Sequence, residues 1–298
     1  MKISEAERTI KEQIGSNYTP GESSKIASMC LEHISGISYS NKLLNKDKEL
    51  TESQLNLMYS IIERLKNHEP IQYILNLSWF YGMELYVNKD VLIPRPETEE
   101  LVQWIIQEVQ QIDKNLFFKT TTEADKTTKL KILDVGTGSG CIALALKKEI
   151  PLAEVWGCDI SDKALNVARR NGSELDIRVD FQSVDFLNKD QQKHLPSVDI
   201  IVSNPPYVPH SDKNEMQPNV LQYEPHTALF VDDKDPLLFY RSIIAFASHR
   251  LHKNGRMYME IHESFAEEVK FLFTNEGYNV EVRKDMQGKE RMIRAMAG

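Results

Sequence analysis

The chain is organised around nine residues, Asp199-Ile200-Ile201-Val202-Ser203-Asn204-Pro205-Pro206-Tyr207. Their first half is a β-branched apolar run, which predicts a buried strand, and the two prolines predict a stiff turn after it. The prolines fix two backbone φ angles and push Asn204 into an extended conformation. We therefore expect the side-chain oxygen of Asn204 and the carbonyl of Pro205 to form a rigid acceptor pair, with the ring of Tyr207 as a wall beside it. Two such acceptors suit the two hydrogens of a planar NH2 group.

A glycine-rich turn follows an earlier strand, in the sequence Leu133-Asp134-Val135-Gly136-Thr137-Gly138-Ser139-Gly140-Cys141. Glycines let a backbone approach a ligand closely, and the helix after such a turn directs unpaired N–H groups at it. Tight packing alone would explain the turn as well. No Lys-Ser or Lys-Thr pair follows the glycines, so a triphosphate-binding loop is disfavoured, and the Gly-x-Gly-x-Gly spacing departs from the usual dinucleotide pattern.

Polar or aromatic residues also follow the next two strands. Asp159 ends the strand about 20 residues after the glycines, where a carboxylate would bind ribose hydroxyls. Asp185 and Phe186 follow the strand after that, and they offer an acceptor for an adenine amine and an aromatic face for its ring. A helix-capping Asp and a core Phe are the plainer interpretation of each residue alone. Because ligands of open α/β sheets bind beyond the carboxyl ends of the strands, the positions together favour a ligand site.

Strands and helices alternate in the second half of the chain. Candidate strands lie at residues 131–135, 154–159, 177–182, 200–202 and 256–261. Helical patterns separate most of them, and this alternation predicts an α/β fold with a doubly wound, mostly parallel, Rossmann-like sheet. Two final candidate strands, 278–283 and 291–296, form a hairpin-like pair and predict an antiparallel edge strand.

Three parts of the chain differ in pattern. Residues 1–76 predict a small helical bundle, with Ser4 and Thr51 as candidate helix caps. Residues 77–96 are aromatic and alternating and predict a β-hairpin linker, and residues 97–298 carry the sheet. The polar, threonine-rich run 119–129 predicts an exposed loop.

The composition is ordinary for a soluble globular protein, with 41% hydrophobic and 27% charged residues in a chain of 298. No apolar run approaches the length of a membrane span, and the first residues resemble neither a secretion signal nor a transit peptide. We therefore expect a cytoplasmic protein without membrane contact. The three cysteines are widely spaced among apolar neighbours, and the histidines show no metal-ligand spacing, so free thiols and no bound metal are expected.

A family resemblance runs over nearly the whole chain. The stretches that carry it are Pro70-Ile71-Gln72-Tyr73-Ile74-Leu75, Phe80-Tyr81-Gly82, Leu92-Ile93-Pro94-Arg95-Pro96-Glu97-Thr98-Glu99, Gly136 to Gly140, Asn204 to Tyr207, and Glu224-Pro225. Together they resemble the PrmC/HemK family of class I S-adenosylmethionine-dependent methyltransferases, which methylate a glutamine side-chain amide in peptide-chain release factors. The Ile-Pro-Arg-Pro-Glu-Thr-Glu segment is the more specific signal, because Asn-Pro-Pro-Tyr is shared with enzymes that methylate adenine N6.

The resemblance implies a place for each ligand. It implies that the cofactor S-adenosylmethionine lies on Gly136, Thr137, Gly138, Ser139, Gly140, Asp159, Asp185, Phe186 and Asn204. It implies that the glutamine of the Gly-Gly-Gln motif of a release factor lies on Asn204, Pro205, Pro206 and Tyr207, of which Asn204, Pro205 and Tyr207 would be catalytic. Residues 1–76 would recognise the release factor. Arg95, Glu97 and Glu99 remain candidate site-lining residues, since charges at a helix start explain the two acids without a function.

Three alternatives stay open. A similar family of glutamine methyltransferases acts on a ribosomal protein, but its sequences diverge after the Pro-Arg of the proline-rich segment. An adenine-N6 nucleic-acid methyltransferase is disfavoured by the net charge of −8, and no stable nucleic-acid binding is expected. A cofactor-binding adaptor without catalysis is disfavoured by the intact Asn-Pro-Pro-Tyr.

Overall fold

A computed structural model of the protein describes residues 1–41, 43–116 and 129–297. It divides into two compact units by the contacts within the chain. One comprises Met1–Leu77 and Met216–Tyr223, and the other comprises Ser78–Glu215 and Glu224–Gly298. All but the last residue of the predicted loop 119–129 lies outside the described residues.

The helices and strands are numbered here in chain order. The α-helices are α1 (Ile3–Ile14), α2 (Pro20–Ser35), α3 (Glu52–Lys66), α4 (Ile71–Leu75), α5 (Pro96–Leu116), α6 (Cys141–Glu149), α7 (Asp162–Glu174), α8 (Lys189–Gln192), α9 (Pro218–Tyr223), α10 (Leu238–Arg250) and α11 (Ala266–Asn275). The strands are β1 (Ser78–Phe80), β2 (Met83–Leu85), β3 (Lys131–Val135), β4 (Glu154–Asp159), β5 (Asp180–Ser183), β6 (Val198–Ser203), β7 (Val208–Pro209), β8 (Phe230–Val231), β9 (Leu251–Glu260), β10 (Tyr278–Lys284) and β11 (Glu290–Ala297).

The smaller unit is helical, as predicted. The apolar faces of α1, α2 and α3 form its core, in which Ile10, Cys30 and Met58 are fully buried. Thr51 caps α3 by accepting a hydrogen bond from the backbone of Gln54, as expected. The predicted cap at Ser4 is wrong: the N-cap of α1 is Lys2, two residues earlier, and the helix begins at Ile3. A helix boundary of this kind is not determined by a capping pattern alone.

The larger unit is built on a seven-stranded sheet in the order β10-β11-β9-β6-β3-β4-β5. Neighbouring strands from β9 to β5 run parallel, and β11 runs antiparallel to both of its neighbours. The doubly wound, mostly parallel sheet is therefore confirmed. The antiparallel strand is one position in from the edge, because the chain crosses over from β9 to the outer strand β10 before β11 returns between them.

Helices cover both faces of this sheet. The strand β3 shows why, because consecutive residues point to opposite faces: Ile132 joins a core with α5, α6 and α7, whereas Leu133 joins a core with α10 and α11. Strands buried on both faces favour near-continuous apolar runs, which is the pattern of residues 200–202 in β6 and, apart from the buried Asp134, of residues 132–135 in β3. The predicted hairpin is formed by β1 and β2. None of the described helices is long and apolar enough to cross a membrane.

The order of the strands determines where a ligand site can form. The chain runs from β3 outward through β4 to β5, and it then crosses back to place β6 on the other side of β3. Such a reversal opens a crevice at the carboxyl ends of the two central strands. Val135 and Ser203 are partners at these ends of β3 and β6, so the glycine turn and the Asn204 turn begin side by side.

Candidate active site

A cavity of about 1120 Å³, counted with its open mouth, lies at the carboxyl ends of β3, β4, β5 and β6. The residues predicted for the site that line it are Gly136, Thr137, Gly138, Ser139, Asp159, Asp185, Phe186, Asn204, Pro205 and Pro206. Gly140 and Tyr207 are not among its lining residues. The strands thus bring together groups from four separate segments of the chain.

The glycine turn has the shape of a ligand cradle. Gly136 and Gly138 have φ angles of 72° and 54°, in the left-handed region that favours glycine. A Cβ atom at either position would meet no other atom within 4 Å, so the backbone there faces open space rather than packed protein. The residues present therefore fit a ligand that lies directly on the backbone of this turn.

Gly140 has a different role from the other two glycines. It precedes α6, also with a positive φ, but a Cβ atom there would lie 3.1 Å from the side chains of Ala168 and Phe181. This glycine lets α6 pack closely against α7 and β5. Its contribution to the cavity is indirect, since it supports the turn that carries Gly136 and Gly138.

Asp159 ties the glycine turn to the end of β4. One carboxylate oxygen accepts a hydrogen bond from the backbone N–H of Gly138 at 2.9 Å, and the other accepts from Ser161 at 2.9 Å. Burial raises the pKa of Asp159, against the opposing effect of these hydrogen bonds. The backbone of Ile160 also bonds the carboxylate, which leaves an acceptor position with which Asp159 can bind a hydroxyl group of a ligand while it holds the turn.

Asp185 and Phe186 combine structural contacts with positions in the cavity wall. The carboxylate of Asp185 accepts a hydrogen bond from the backbone of Leu187 at 3.0 Å. The ring of Phe186 packs edge-on against Phe246, with ring centroids 5.3 Å apart. The core role considered for Phe186 is therefore present. Asp185 bonds within a turn, and the residue that caps the next helix, α8, is Asn188. Both Asp185 and Phe186 line the cavity.

Asn204 reaches the cavity from the turn after β6. Its side-chain Nδ2 donates a hydrogen bond to Thr98 Oγ1 at 3.2 Å, and the Thr98 hydroxyl in turn donates to the carboxylate of Glu260. Because Nδ2 is engaged with Thr98, Oδ1 is the Asn204 atom left to accept from a ligand. Pro205 is buried beside it and lines the same cavity.

Tyr207 follows the lining residue Pro206 but is not itself among the residues that line the cavity. Its ring is tilted against His262, with ring centroids 6.0 Å apart, and burial raises the pKa of its phenol. The chain pairs β7 with β8 directly after Tyr207. The expected aromatic wall beside the acceptor pair is thus not among the residues that line the cavity.

The proline-rich segment before α5 forms part of the cavity wall, although the sequence alone assigned it no definite role. Arg95 lines the cavity and donates to the buried carboxylate of Glu224 at 2.6 Å, and Glu224 also accepts from the backbone of Ile93 at 3.2 Å. Glu97 and Glu99 instead accept hydrogen bonds from Gln287 and from the backbone of Tyr81. Of the three charged candidates, Arg95 alone is therefore among the lining residues.

Sequence reasoning also assigned no role to Thr98, Asp134 and Glu260. Each is nearly inaccessible to solvent, and polar side chains are seldom buried so completely unless they are paired with other groups. Glu260 is the last residue of β9, so the rule that parallel strands present ligand groups at their carboxyl ends could have drawn attention to it. No local signal marks Thr98, whose importance comes from two partners far away in the sequence.

Asp134, in β3 just before the glycine turn, makes the stability of the protein depend on pH. Its carboxylate accepts from the Thr137 hydroxyl at 2.6 Å, and burial raises its pKa from the ordinary 3.8 to about 7. A carboxyl whose pKa is raised on folding stabilises the protein fully below pH 3.8, and this contribution is lost as the pH rises through about 7.

We therefore expect the melting temperature to fall from about pH 4 to about pH 7, and to fall less for Asp134→Asn than for the parent protein. Glu260, whose pKa burial also raises to about 7, contributes in the same direction and keeps part of the slope. Melting curves at fixed ionic strength measure the effect, and the exposed Asp180→Asn serves as a matched control. An unchanged slope in Asp134→Asn would contradict the role given to burial.

Comparison with known proteins agrees with this fold. The family model for the methyltransferase small domain matches residues 110–223, and the model for the PrmC N-terminal domain matches residues 5–75. Among solved structures, the hMettl16 catalytic domain in complex with the MAT2A 3′UTR hairpin 6 aligns with a TM-score of 0.52 and 16% identity, over 83% of this chain and 82% of that one. This likeness shows the fold, which is that of the class I methyltransferases.

Curated relatives show which family of methyltransferases the chain belongs to. Proteins named release factor glutamine methyltransferase are 43% identical in Flavobacterium psychrophilum, over 85% of this chain and 84% of that one, and 38% identical in Bacteroides thetaiotaomicron, over 96% and 97%. The relative of that name in Streptococcus pneumoniae is 36% identical over 98% of each chain. The chain belongs to the family of release factor glutamine methyltransferases.

Proposed function

We propose that the protein transfers a methyl group from S-adenosylmethionine to the side-chain amide nitrogen of a glutamine in peptide-chain release factors, the glutamine of their Gly-Gly-Gln motif. One observation carries the proposal. The glycine cradle and the Asn204–Pro205 turn line one cavity, so a cofactor on the first and an amide on the second would be neighbours. The printed names of the relatives support the same reaction.

The residues present fit S-adenosylmethionine. We assign its methionine part to the turn 136–139, with Gly140 in support, its ribose to Asp159, and its adenine to Asp185 and Phe186. Open space above Gly136 and Gly138 supports the first assignment, and the remaining acceptor position of Asp159 supports the second. When bound there, the cofactor would supply a methyl group activated by its positively charged sulfur.

The acceptor pair addresses the chemical difficulty of the reaction. An amide nitrogen is a weak nucleophile, because its lone pair is delocalised into the carbonyl group. In our assignment Asn204 Oδ1 and the Pro205 carbonyl accept the two N–H hydrogens of the glutamine. Acceptors so placed favour positive charge as it develops on the nitrogen, and a rigid turn holds them without reorganisation. This scheme requires no dedicated base, since the proton becomes strongly acidic after methyl transfer.

We also propose that the helical unit, which the sequence predicts to comprise residues 1–76, recognises the release factor. The match to the PrmC N-terminal domain over residues 5–75 supports a family-specific role. The unit has its own core, so it can be varied on its surface without disturbing the sheet.

A methyl-transfer assay tests the proposed function. The protein is incubated with isotopically labelled S-adenosylmethionine and, in separate reactions, release factor, ribosomal protein or duplex DNA. Mass spectrometry of the products then locates the label. We expect one methyl group on the glutamine side chain of the Gly-Gly-Gln motif and none on DNA. Label on adenine or on a ribosomal glutamine, or no transfer at all, would contradict the proposal.

A further inference from the structure

Two buried side chains and the half-buried Asn204, from separate elements, form a continuous hydrogen-bonded row. Asn204 follows β6, Thr98 lies in the first turn of α5, and Glu260 ends β9. The Nδ2 of Asn204 lies 3.2 Å from Thr98 Oγ1, and Thr98 Oγ1 contacts Glu260 Oε1. Thr98 is 2% exposed and Glu260 is 1% exposed, so water does not compete for the contact between these two, whereas the Asn204 contact lies at the cavity wall.

The direction of these hydrogen bonds follows from the groups involved. An ionised carboxylate has no hydrogen to donate, so Thr98 must direct its single hydroxyl hydrogen at Glu260. The hydroxyl oxygen can then only accept from its other neighbour, and the NH2 group of Asn204 is the half of that amide that donates. A charge on Glu260 therefore turns the Oδ1 of Asn204 away from Thr98.

We propose that Thr98 and Glu260 form a positioning relay that fixes the orientation of the Asn204 carboxamide and so decides whether the site can accept an amide NH2 group. This inference rests on the proposed function, because that function supplies the glutamine NH2 group that donates to Oδ1 of Asn204. Neither residue of the relay touches the substrate amide in this assignment. Both act through Asn204.

The surroundings of Glu260 make the relay sensitive to pH. The carboxylate is faced by Arg291 on β11, by Arg95 and Glu97 at the start of α5, and by Tyr207 after β6. Its own backbone carbonyl accepts from the Tyr240 hydroxyl of α10 at 3.0 Å, and Cys141 at the start of α6 also senses its charge. Burial outweighs the two arginines and raises the pKa of Glu260 to about 7.

Protonation of Glu260 removes the constraint on direction. A neutral carboxyl group can donate to Thr98, whose hydroxyl is then free to donate to Oδ1 of Asn204. That arrangement presents the Asn204 NH2 group to the cavity and repels the hydrogens of a substrate amide. Turnover should therefore decrease as the pH falls through about 7.

Substitutions in the relay separate positioning from folding. Thr98→Val keeps the shape and removes the hydroxyl, and we expect kcat to fall about 100-fold, the scale of a misplaced catalytic group, with little change in the KM for S-adenosylmethionine. Thr98→Ser restores the hydroxyl and should recover most of kcat. Thr274→Val, which removes a hydroxyl bonded within α11, is the matched control and should leave kcat unchanged. In Glu260→Gln the decrease of kcat below about pH 7 should disappear.

A second measurement does not depend on turnover. The side-chain NH2 group of Asn204 is observed by NMR in protein labelled on asparagine, and its signal is assigned by its loss in Asn204→Ala. In the parent protein we expect this signal to shift with a midpoint near pH 7, and in Glu260→Gln we expect no such shift.

Different results would contradict the relay and the proposed methylation of release factors. If the NH2 signal of Asn204 does not titrate, or if Thr98→Val turns over like the parent protein, the relay is wrong although the enzyme is active. If the signal titrates but no release factor glutamine is methylated, the relay stands as a feature of the site and the proposed substrate is wrong.

Discussion

Asn204→Ala is expected to lower kcat for release factor methylation by roughly 100- to 1000-fold, the loss seen when one preorganised hydrogen-bonding group is removed from an active site. The substitution removes Oδ1, one of the two acceptors assigned to the substrate amide. It leaves the cradle at Gly136 and Gly138 intact, so the affinity for S-adenosylmethionine should change far less. Steady-state kinetics and calorimetric titration with the cofactor measure the two effects separately.

The control for this substitution is Asn279→Ala, an exposed asparagine on the edge strand β10. It should turn over like the parent protein. A kcat of Asn204→Ala within about threefold of the parent value would contradict the role of the acceptor pair, since an acceptor used in the transition state cannot be removed at so little cost. Equal losses of kcat and of cofactor affinity would instead indicate a collapsed cavity.

Gly138→Val is expected to weaken S-adenosylmethionine binding about 10- to 100-fold. The φ angle of 54° disfavours a β-branched residue, and the new side chain would extend from the backbone that lies open for the ligand. Overfilling a closely fitted site by a few heavy atoms costs about 1–3 kcal/mol, which corresponds to this loss of affinity. Calorimetric titration of the purified variant measures it.

Gly288→Val is a matched control for the backbone strain. Gly288 has a φ of 85° and open space around its Cβ position, but it lies in the turn between β10 and β11 and does not line the cavity. Both variants should melt at lower temperature than the parent protein, and Gly138→Val alone should lose affinity. If both bind the cofactor as the parent does, the cradle is not the binding surface.

Much of the site could be predicted because it depends on local rules. A glycine turn after one strand, Asp159 after the next, and Asn204 after β6 were each visible in the sequence. Parallel strands then bring their carboxyl ends to one edge of the sheet, and all three positions line the same cavity. The antiparallel strand was also visible as a final strand pair, but its place inside the edge depends on a crossover that local patterns do not encode.

The rest depends on contacts between distant residues. Thr98 is hydrogen-bonded to Asn204, which lies 106 positions away along the chain, and to Glu260, which lies 162 positions away. No local sequence pattern around Thr98 predicts either partner. Tyr207 was expected at the cavity because it follows the prolines directly. The ring packs against His262 instead, since the backbone turns after Pro206 to pair β7 with β8. Side-chain direction after a turn follows from tertiary packing, and the residue types alone do not determine it.

The most direct test of the account is an experimental structure of the protein with S-adenosylhomocysteine and a release factor bound. We expect the side-chain nitrogen of the Gly-Gly-Gln glutamine to lie within hydrogen-bonding distance of both Asn204 Oδ1 and the Pro205 carbonyl, and to face the cofactor sulfur. A glutamine held by other groups, or an Asn204 that presents its NH2 to the substrate, would contradict it.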